Sequence, residues 1–202
     1  MNAATDLDTA PRRIDYRTAG HGRGITRLMS PGDLGQLVKP FVFLDHFEAD
    51  GRGFGTLPWH PHSGIATHTT LLDGEVSYED STGASGVLPQ GGVEYMQAGA
   101  GVWHTGGAVP GRPVRGFQLW LALPDADELS PPQSYYVEPA TLPVEDGVRL
   151  LLGTYADRVG PIPYGAPLSY LHVRLAAGRH WRYEPAAEHD VAWLAVSEGT
   201  LE

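Results

Sequence analysis

The sequence contains no cysteine, which excludes a disulfide framework, a Cys-ligated zinc site and a thiol nucleophile. Any metal site has to be built from histidine and carboxylate. Long apolar runs are missing as well. Nothing approaches the ~20 consecutive apolar residues of a membrane-spanning helix, and the first fifteen residues, MNAATDLDTAPRRID, lack the basic start and apolar stretch of a secretory signal. A cytoplasmic protein with no membrane partner is expected. Basic charge is scarce, with 14 Lys and Arg against 24 Asp and Glu for a formal charge of −10. The basic residues do not cluster along the chain, so direct nucleic-acid binding is disfavoured. There is no phosphate loop, no dinucleotide glycine pattern in a strand–helix setting and no Gly-x-Ser-x-Gly elbow. No segment carries a sustained helical period.

Turn-formers are abundant instead. The 26 Gly and 17 Pro punctuate short stretches rich in Val, Leu, Thr, Tyr and Trp, a pattern of strands and turns. Strand composition marks Phe41 to Phe47, Ile65 to Leu72, Glu75 to Asp80, Gly86 to Leu88, Val93 to Gln97, Val102 to Thr105 and Arg115 to Leu123. It recurs at Tyr135 to Val137, Val148 to Gly153, Ser169 to Leu175 and Ala192 to Val196. Turn signals return about every 8 to 12 residues, the spacing of a sandwich or barrel, so the fold is read as all-β. Asp73-Gly74 is read as a hairpin turn, and Ala98-Gly99-Ala100-Gly101 as a second hairpin folding Val93 to Gln97 onto Val102 to Gly106. Gly51 to Gly55 reads as a loop bordering a cleft, and Pro124 to Pro132 as a surface connection.

Nine histidines stand at 21, 46, 60, 62, 68, 104, 172, 180 and 189. His60 and His62 are related by i, i+2, which in an extended segment places both imidazoles on one face, roughly 6 to 7 Å apart. A first-row metal bonded at about 2.1 Å to each ring nitrogen can bridge that gap. Pro61 between them removes a ladder amide, so the pair belongs to a sheet edge or a strand entrance. An H-x-H alone is weak, and the downstream strands and turns that lead to His104 are what strengthen the metal reading. His68 lies about 20 Å from His62 along an ideal strand and is read as a barrel-interior or surface histidine. His46 either lines the cleft or is structural. His21, His172, His180 and His189 have no ligand spacing. Trp59, Tyr95, Met96 and Trp103 are read as core packing, with pocket walls as the alternative for one or two of them.

Several motifs in order carry a family resemblance: Pro58-Trp59-His60-Pro61-His62-Ser63-Gly64, Leu71-Leu72-Asp73-Gly74, Glu79-Asp80-Ser81, and Gly92-Val93-Glu94-Tyr95-Met96-Gln97-Ala98-Gly99 through His104. Together with Phe41 to Asp45 and Gln118-Leu119-Trp120 they resemble the pirin family of the cupin superfamily. The resemblance is strong over residues 12–123 and weak beyond. It implies a bicupin, two double-stranded β-helix (jelly-roll) barrels with a mononuclear metal in the first. The expected organisation is a complete N-terminal cupin over 12–123, a linker over 124–134 and an incomplete C-terminal cupin over 135–202. Residues 196–202 read as a strand, a Glu-Gly turn and the start of another strand. A shortened second domain is therefore expected, with open edges and exposed apolar surface that favour a homodimer or strand exchange.

Carried over residue by residue, the family's metal-binding histidines fall on His60, His62 and His104. The glutamate that family members place two residues after the third histidine falls on Gly106, and the cupin glutamate four residues after the H-P-H motif falls on Ala66. Two arrangements stay open. Either three neutral histidines hold a divalent ion with water completing its shell, or Glu94 supplies a fourth ligand from the neighbouring strand. Its direction then depends on a register that a one-residue slip reverses. Glu94 otherwise orients a histidine ring from outside the shell or lies in solvent.

The resemblance implies an oxygenase like the pirins credited with quercetin 2,3-dioxygenase activity. One divalent ion, Fe(II) first with Zn, Mn, Ni, Co or Cu as alternatives, would bind a deprotonated flavonol or enol beside O₂. Glu94 would be the catalytic proton acceptor. The second reading is a non-catalytic metal-binding regulator with a protein partner, which the missing carboxylate at Gly106 favours. The third is a metal-free cupin that binds a small ligand.

Overall fold

The computed structural model of the chain describes residues 21–22, 24–51 and 55–201. The readings made for the first twenty residues, for 52–54 of the glycine-rich loop and for the His21 side chain lie outside the described residues. In chain order the strands are β1 (His21–Gly22), β2 (Ile25–Met29), β3 (Phe41–Asp50), β4 (Thr56–His62), β5 (Ile65–Asp73), β6 (Val76–Asp80), β7 (Ser85–Leu88), β8 (Val93–Gln97), β9 (Val102–Ala108), β10 (Pro113–Ala122), β11 (Gln133–Val137), β12 (Val144–Glu145), β13 (Val148–Tyr155), β14 (Arg158–Val159) and β15 (Ser169–Val173). Among the described residues no helix is long and apolar enough to cross a membrane.

A seven-stranded sheet runs β1-β2-β3-β10-β5-β8-β11 and a four-stranded sheet runs β4-β9-β6-β7. A third joins β12, β13 and β14, with β15 beside β13. The first two pack face to face. Phe47, Leu71 and Val114 of the large sheet meet Leu88, Val76 and Tyr78 of the small one, and Tyr78 stacks on Tyr136 with ring centroids 3.5 Å apart. The other face of the large sheet contributes Ala66, Val93, Tyr95, Leu119 and Leu121 to a core shared with Leu151, Leu152, Ile162, Leu168 and Tyr170. Covered on both sides, β5 buries six consecutive residues, Ala66 to Leu71. That explains its continuous Thr- and Leu-rich run in place of an in–out rhythm. Each fully buried Leu or Val contributes about 1.5–3 kcal/mol, so this central sheet anchors whatever its inner face presents.

The all-β jelly-roll architecture is as expected, but two expected hairpins are absent. Across Asp73-Gly74, β5 pairs with β10 and β8, while β6 pairs with β7 and β9. The turn therefore carries the chain from one sheet to the other. Gly74 has φ +77°, and a Cβ there would meet the Pro113 carbonyl oxygen at 2.1 Å, so the crossing itself requires glycine. The same holds at Ala98 to Gly101: β8 pairs with β5 and β11, and β9 with β4 and β6. A true hairpin joins β6 to β7. Residues 192–196, expected as a strand, form none; Trp193 packs instead against Phe41 and Tyr170, with centroids 5.5 and 5.6 Å away. Residues 133–137 hydrogen-bond to β8 and add the last strand of the large sheet.

Candidate metal centre

β4 and β9 run antiparallel with His60 opposite His104 and His62 opposite Val102. Because alternate residues share a face, His60, His62 and His104 all turn inward. Their ring centroids are 5.1 Å (His60–His62), 4.3 Å (His60–His104) and 5.0 Å (His62–His104) apart. One nitrogen from each lies within 4.8 Å of the others. His60 Nδ1 sits 2.8 Å from the Pro58 carbonyl oxygen, a contact that needs a proton on Nδ1 and leaves the Nε2 lone pair free. His104 Nε2 is buried without a hydrogen-bond partner. Burial first, then the neighbouring His60, depresses His62 to about 4. Burial, His60 and His62 depress His104 to about 4 against the opposing pull of Asp80. Both imidazoles are thus neutral at pH 7 and able to ligate. Such a donor set, with an orphaned nitrogen, fits a borderline divalent ion.

Glu94 does not lie opposite His104, Thr105 or Gly106, as the expected hairpin required. It pairs with Thr69 on β5 and Tyr136 on β11, because β8 belongs to the sheet facing the histidines. Its carboxylate is buried and accepts the Thr69 hydroxyl at 2.5 Å. Burial pushes its pKa up to about 7, with the Thr69 bond opposing and the charge of Asp80 adding to the rise. Among the described residues, the cluster of mutually close donors holds the three histidines and no carboxylate.

Asp80, which the sequence placed in a family motif without giving it a role, stands directly opposite His104 on β6 and is 3% exposed. Its Oδ1 accepts the Thr82 amide at 2.8 Å and the Thr82 hydroxyl at 2.5 Å. Its Oδ2 accepts the Tyr136 hydroxyl at 2.8 Å. Burial alone would raise its pKa, but the hydrogen bonds outweigh it and hold the carboxyl below its ordinary value. Across the large sheet, Arg27, Asp45, Gln118, Thr69, Glu94 and Tyr136 are successive cross-strand neighbours. They form a polar row that starts at the Arg27–Asp45 ion pair. No sequence signal marks it, since its members come from six strands and meet only through register.

The two departures from the family pattern have physical reasons. Gly106 lies opposite Tyr78 and Leu57, and a Cβ there would fall 2.7 Å from the Ser77 carbonyl oxygen. Ala66 is fully buried in the core on the far side of the large sheet. His68 is equally buried on that far side, edge-on to Tyr170 at 5.0 Å, and His46 packs against Phe117 at 5.0 Å, so both are structural. Tyr95 and Met96 are core residues, as expected. Trp59 and Trp103 are not, being 46% and 53% exposed. The aromatic wall of the site is Trp120, 5.1 Å from the His62 ring and stacked on Phe43 at 4.1 Å.

The family model described as Pirin matches residues 23–121. A pirin-like protein of Caulobacter vibrioides is 38% identical over 195 residues, covering 90% of this chain and 69% of its own length. PA2418 of Pseudomonas aeruginosa, named provisionally as a quercetin 2,3-dioxygenase, is 34% identical over 205 residues, covering 90% of this chain and 68% of its own. Among solved structures, a quercetin 2,3-dioxygenase from Acinetobacter baumannii superposes with a TM-score of 0.63 at 32% identity, over 76% of this chain and 58% of that one. The chain thus spans about two thirds of the length of these curated relatives and less of the solved one.

Proposed function

Because this chain belongs to the pirin family, we propose that it is a metal-dependent oxygenase of the quercetin 2,3-dioxygenase type, acting on a flavonol or related enol. His60, His62 and His104 hold one divalent ion, Fe(II) first among the alternatives, and Glu94 takes the substrate proton. The observation that carries this reading is the convergence of three imidazole nitrogens within 4.8 Å in a sandwich whose facing sheet buries a carboxylate poised near pH 7. A bound divalent ion would supply Lewis acidity and a template for the enol oxygen and O₂.

The residues of the chain do the rest. Glu94, as the carboxylate, accepts the hydroxyl proton of the enol, and its raised pKa makes it a stronger base than an exposed glutamate. The Thr69 hydroxyl holds that carboxylate in place. Trp120 gives a planar aromatic substrate a wall beside His62.

Anaerobic loading with Fe(II), followed by oxygen and quercetin, tests the reading. Oxygen uptake and flavonol loss are expected, His62→Ala abolishes both, and Glu94→Gln lowers kcat about 10²–10⁴-fold. Absence of uptake by the loaded protein refutes it.

A second reading is favoured by Trp59 and Trp103, half-exposed beside His60 and His104: a protein partner reads the metal state through the outer face of the small sheet. Capture of the same partner with and without chelator refutes it.

A further inference from the structure

We propose that Asp80 is the fixed negative charge of the metal centre, standing in for the carboxylate that position 106 lacks without itself binding the ion. This inference rests on the reading that His60, His62 and His104 hold a divalent cation. Three neutral imidazoles bring no charge to a dication, and a dication partly withdrawn from water is stabilised by an anion near it. In the family pattern a ligand glutamate does this. Here a side chain at Gly106 would run into the Ser77 carbonyl, so the charge has to come from elsewhere.

The buried carboxylates among the described residues are Asp45, Asp80 and Glu94; Asp45 is paired with Arg27, while Asp80 and Glu94 lie on facing sheets and act on each other electrostatically. Glu94 has a single hydroxyl donor from Thr69 and the charge of Asp80 working against its ionisation, so it is the one that gains and loses a proton. Asp80 is held differently. Three donors converge on it, the Thr82 amide and hydroxyl on Oδ1 and the Tyr136 hydroxyl on Oδ2. Its register partner is His104, and directly opposed residues of an antiparallel pair share a face with Cβ atoms about 4.5–5.5 Å apart. Its oxygens are not in the set of mutually close donor atoms, so it acts on a cation through space.

A purely structural role is the competing explanation. Oδ1 with the Thr82 amide is an Asx turn that shapes the β6–β7 hairpin. That turn needs one oxygen and is equally well made by asparagine. The second oxygen is bound by a tyrosine from β11 in the opposite sheet, whose ring is itself fixed by stacking on Tyr78 at 3.5 Å. The hairpin has no use for that second anchor, whereas a fixed anion beside His104 does.

Co(II) titration of the metal-free full chain, followed by visible absorption, separates these roles. Asp80→Asn keeps the Asx turn and removes the charge. It is expected to weaken Co(II) binding about 10–100-fold, the range for groups outside the ligand shell, with the ligand-field spectrum at saturation unchanged. Tyr136→Phe keeps the carboxylate and removes one of its donors, so its loss of Co(II) affinity should be clearly smaller than that of Asp80→Asn. Should Asp80→Asn fail to fold because its amide faces the Tyr136 hydroxyl, the paired Asp80→Asn/Tyr136→Phe chain removes that clash and gives the same loss. Wild-type affinity in the Asp80 variant overturns the inference alone, as does an altered spectrum, which would make Asp80 a ligand, or an equal loss in Tyr136→Phe. Failure of the wild-type chain to bind Co(II) overturns the inference and the three-histidine reading together. Oxygen uptake absent from a chain that binds metal and depends on Asp80 overturns only the oxygenase reading.

Discussion

Thr69 Oγ1 lies 2.5 Å from Glu94 Oε2 and 3.0 Å from Gln118 Oε1, on a strand flanked by β10 and β8. A hydroxyl has a single hydrogen, so Thr69 has two acceptors for it, of which the Glu94 carboxylate is the nearer and the Gln118 amide oxygen the more distant. Threonine thereby ties both side chains to the strand between them, with its donated bond to Glu94 the shorter. The bond opposes the effect of burial and keeps Glu94 from moving further above about 7.

Thr69→Val should therefore raise the Glu94 pKa and shift the acid limb of the pH–rate profile upward, because a proton acceptor works only when ionised. Thr69→Ser should restore the wild-type limb. Loss of the bond also costs about 0.5–1.5 kcal/mol of stability. A profile that stays in place in Thr69→Val would show that Glu94 is not the acceptor.

Gly106→Ala tests why the family carboxylate is missing. Its Cβ would press on the Ser77 carbonyl oxygen from 2.7 Å, and overpacking of this kind costs about 1–3 kcal/mol. Gly106→Glu should lose at least as much without tightening Co(II) binding. A tighter ion in Gly106→Glu, with urea unfolding unchanged, would mean that β6 and β9 yield easily.

The His60–His62 pair was legible because H-x-H in an extended strand is a local pattern whose geometry follows from strand pleat, whereas His104 was joined to it only through the downstream motifs and the family resemblance. Strand positions were legible from local pattern as well, since Gly and Pro mark the ends of β5, β8 and β9. Strand pairing was not. Asp73-Gly74 and Ala98 to Gly101 carry hairpin chemistry, yet in a jelly roll those turns move the chain between facing sheets. A turn records the bend and not the sheet in which the next strand lies. That single ambiguity moved Glu94 from beside His104 to beside Thr69 and Tyr136, and it hid Asp80, whose place opposite His104 depends on the β6–β9 register. Residues 192–196 have the composition of a strand, but Trp193 is spent on filling a gap beside Phe41 and Tyr170.

His68 should make the fold acid-sensitive. Burial first, against two backbone hydrogen bonds, depresses it from 6.5 to about 4, so in the window between those values the folded chain binds fewer protons than the unfolded one. Its stabilising contribution is complete above pH 6.5 and fades as pH falls toward 4, by up to about 3 kcal/mol. His62 and His104 act in the same direction. Unfolding of the metal-free chain at pH 7 and pH 4.5 should show the loss, and His68→Leu should reduce the difference. An undiminished difference in the variant would assign the acid sensitivity to the other histidines.

Glu94 gives the opposite slope. Its pKa rises from 4.5 to about 7 on folding, so between these values the folded chain holds a proton that the unfolded chain releases. The stabilisation is complete below pH 4.5 and is lost as pH climbs through 7, about 3 kcal/mol at most by linkage. Glu94→Gln keeps the shape and removes the titration. The metal-free variant should therefore match wild type near pH 5 and exceed it in urea unfolding near pH 8, while its oxygenase turnover falls. Greater stability with lower activity in one substitution is the behaviour of a charge kept buried for chemistry at the expense of the fold. A stability difference that is the same at pH 5 and pH 8 would place the ionised carboxyl in water and remove Glu94 from the proposed mechanism.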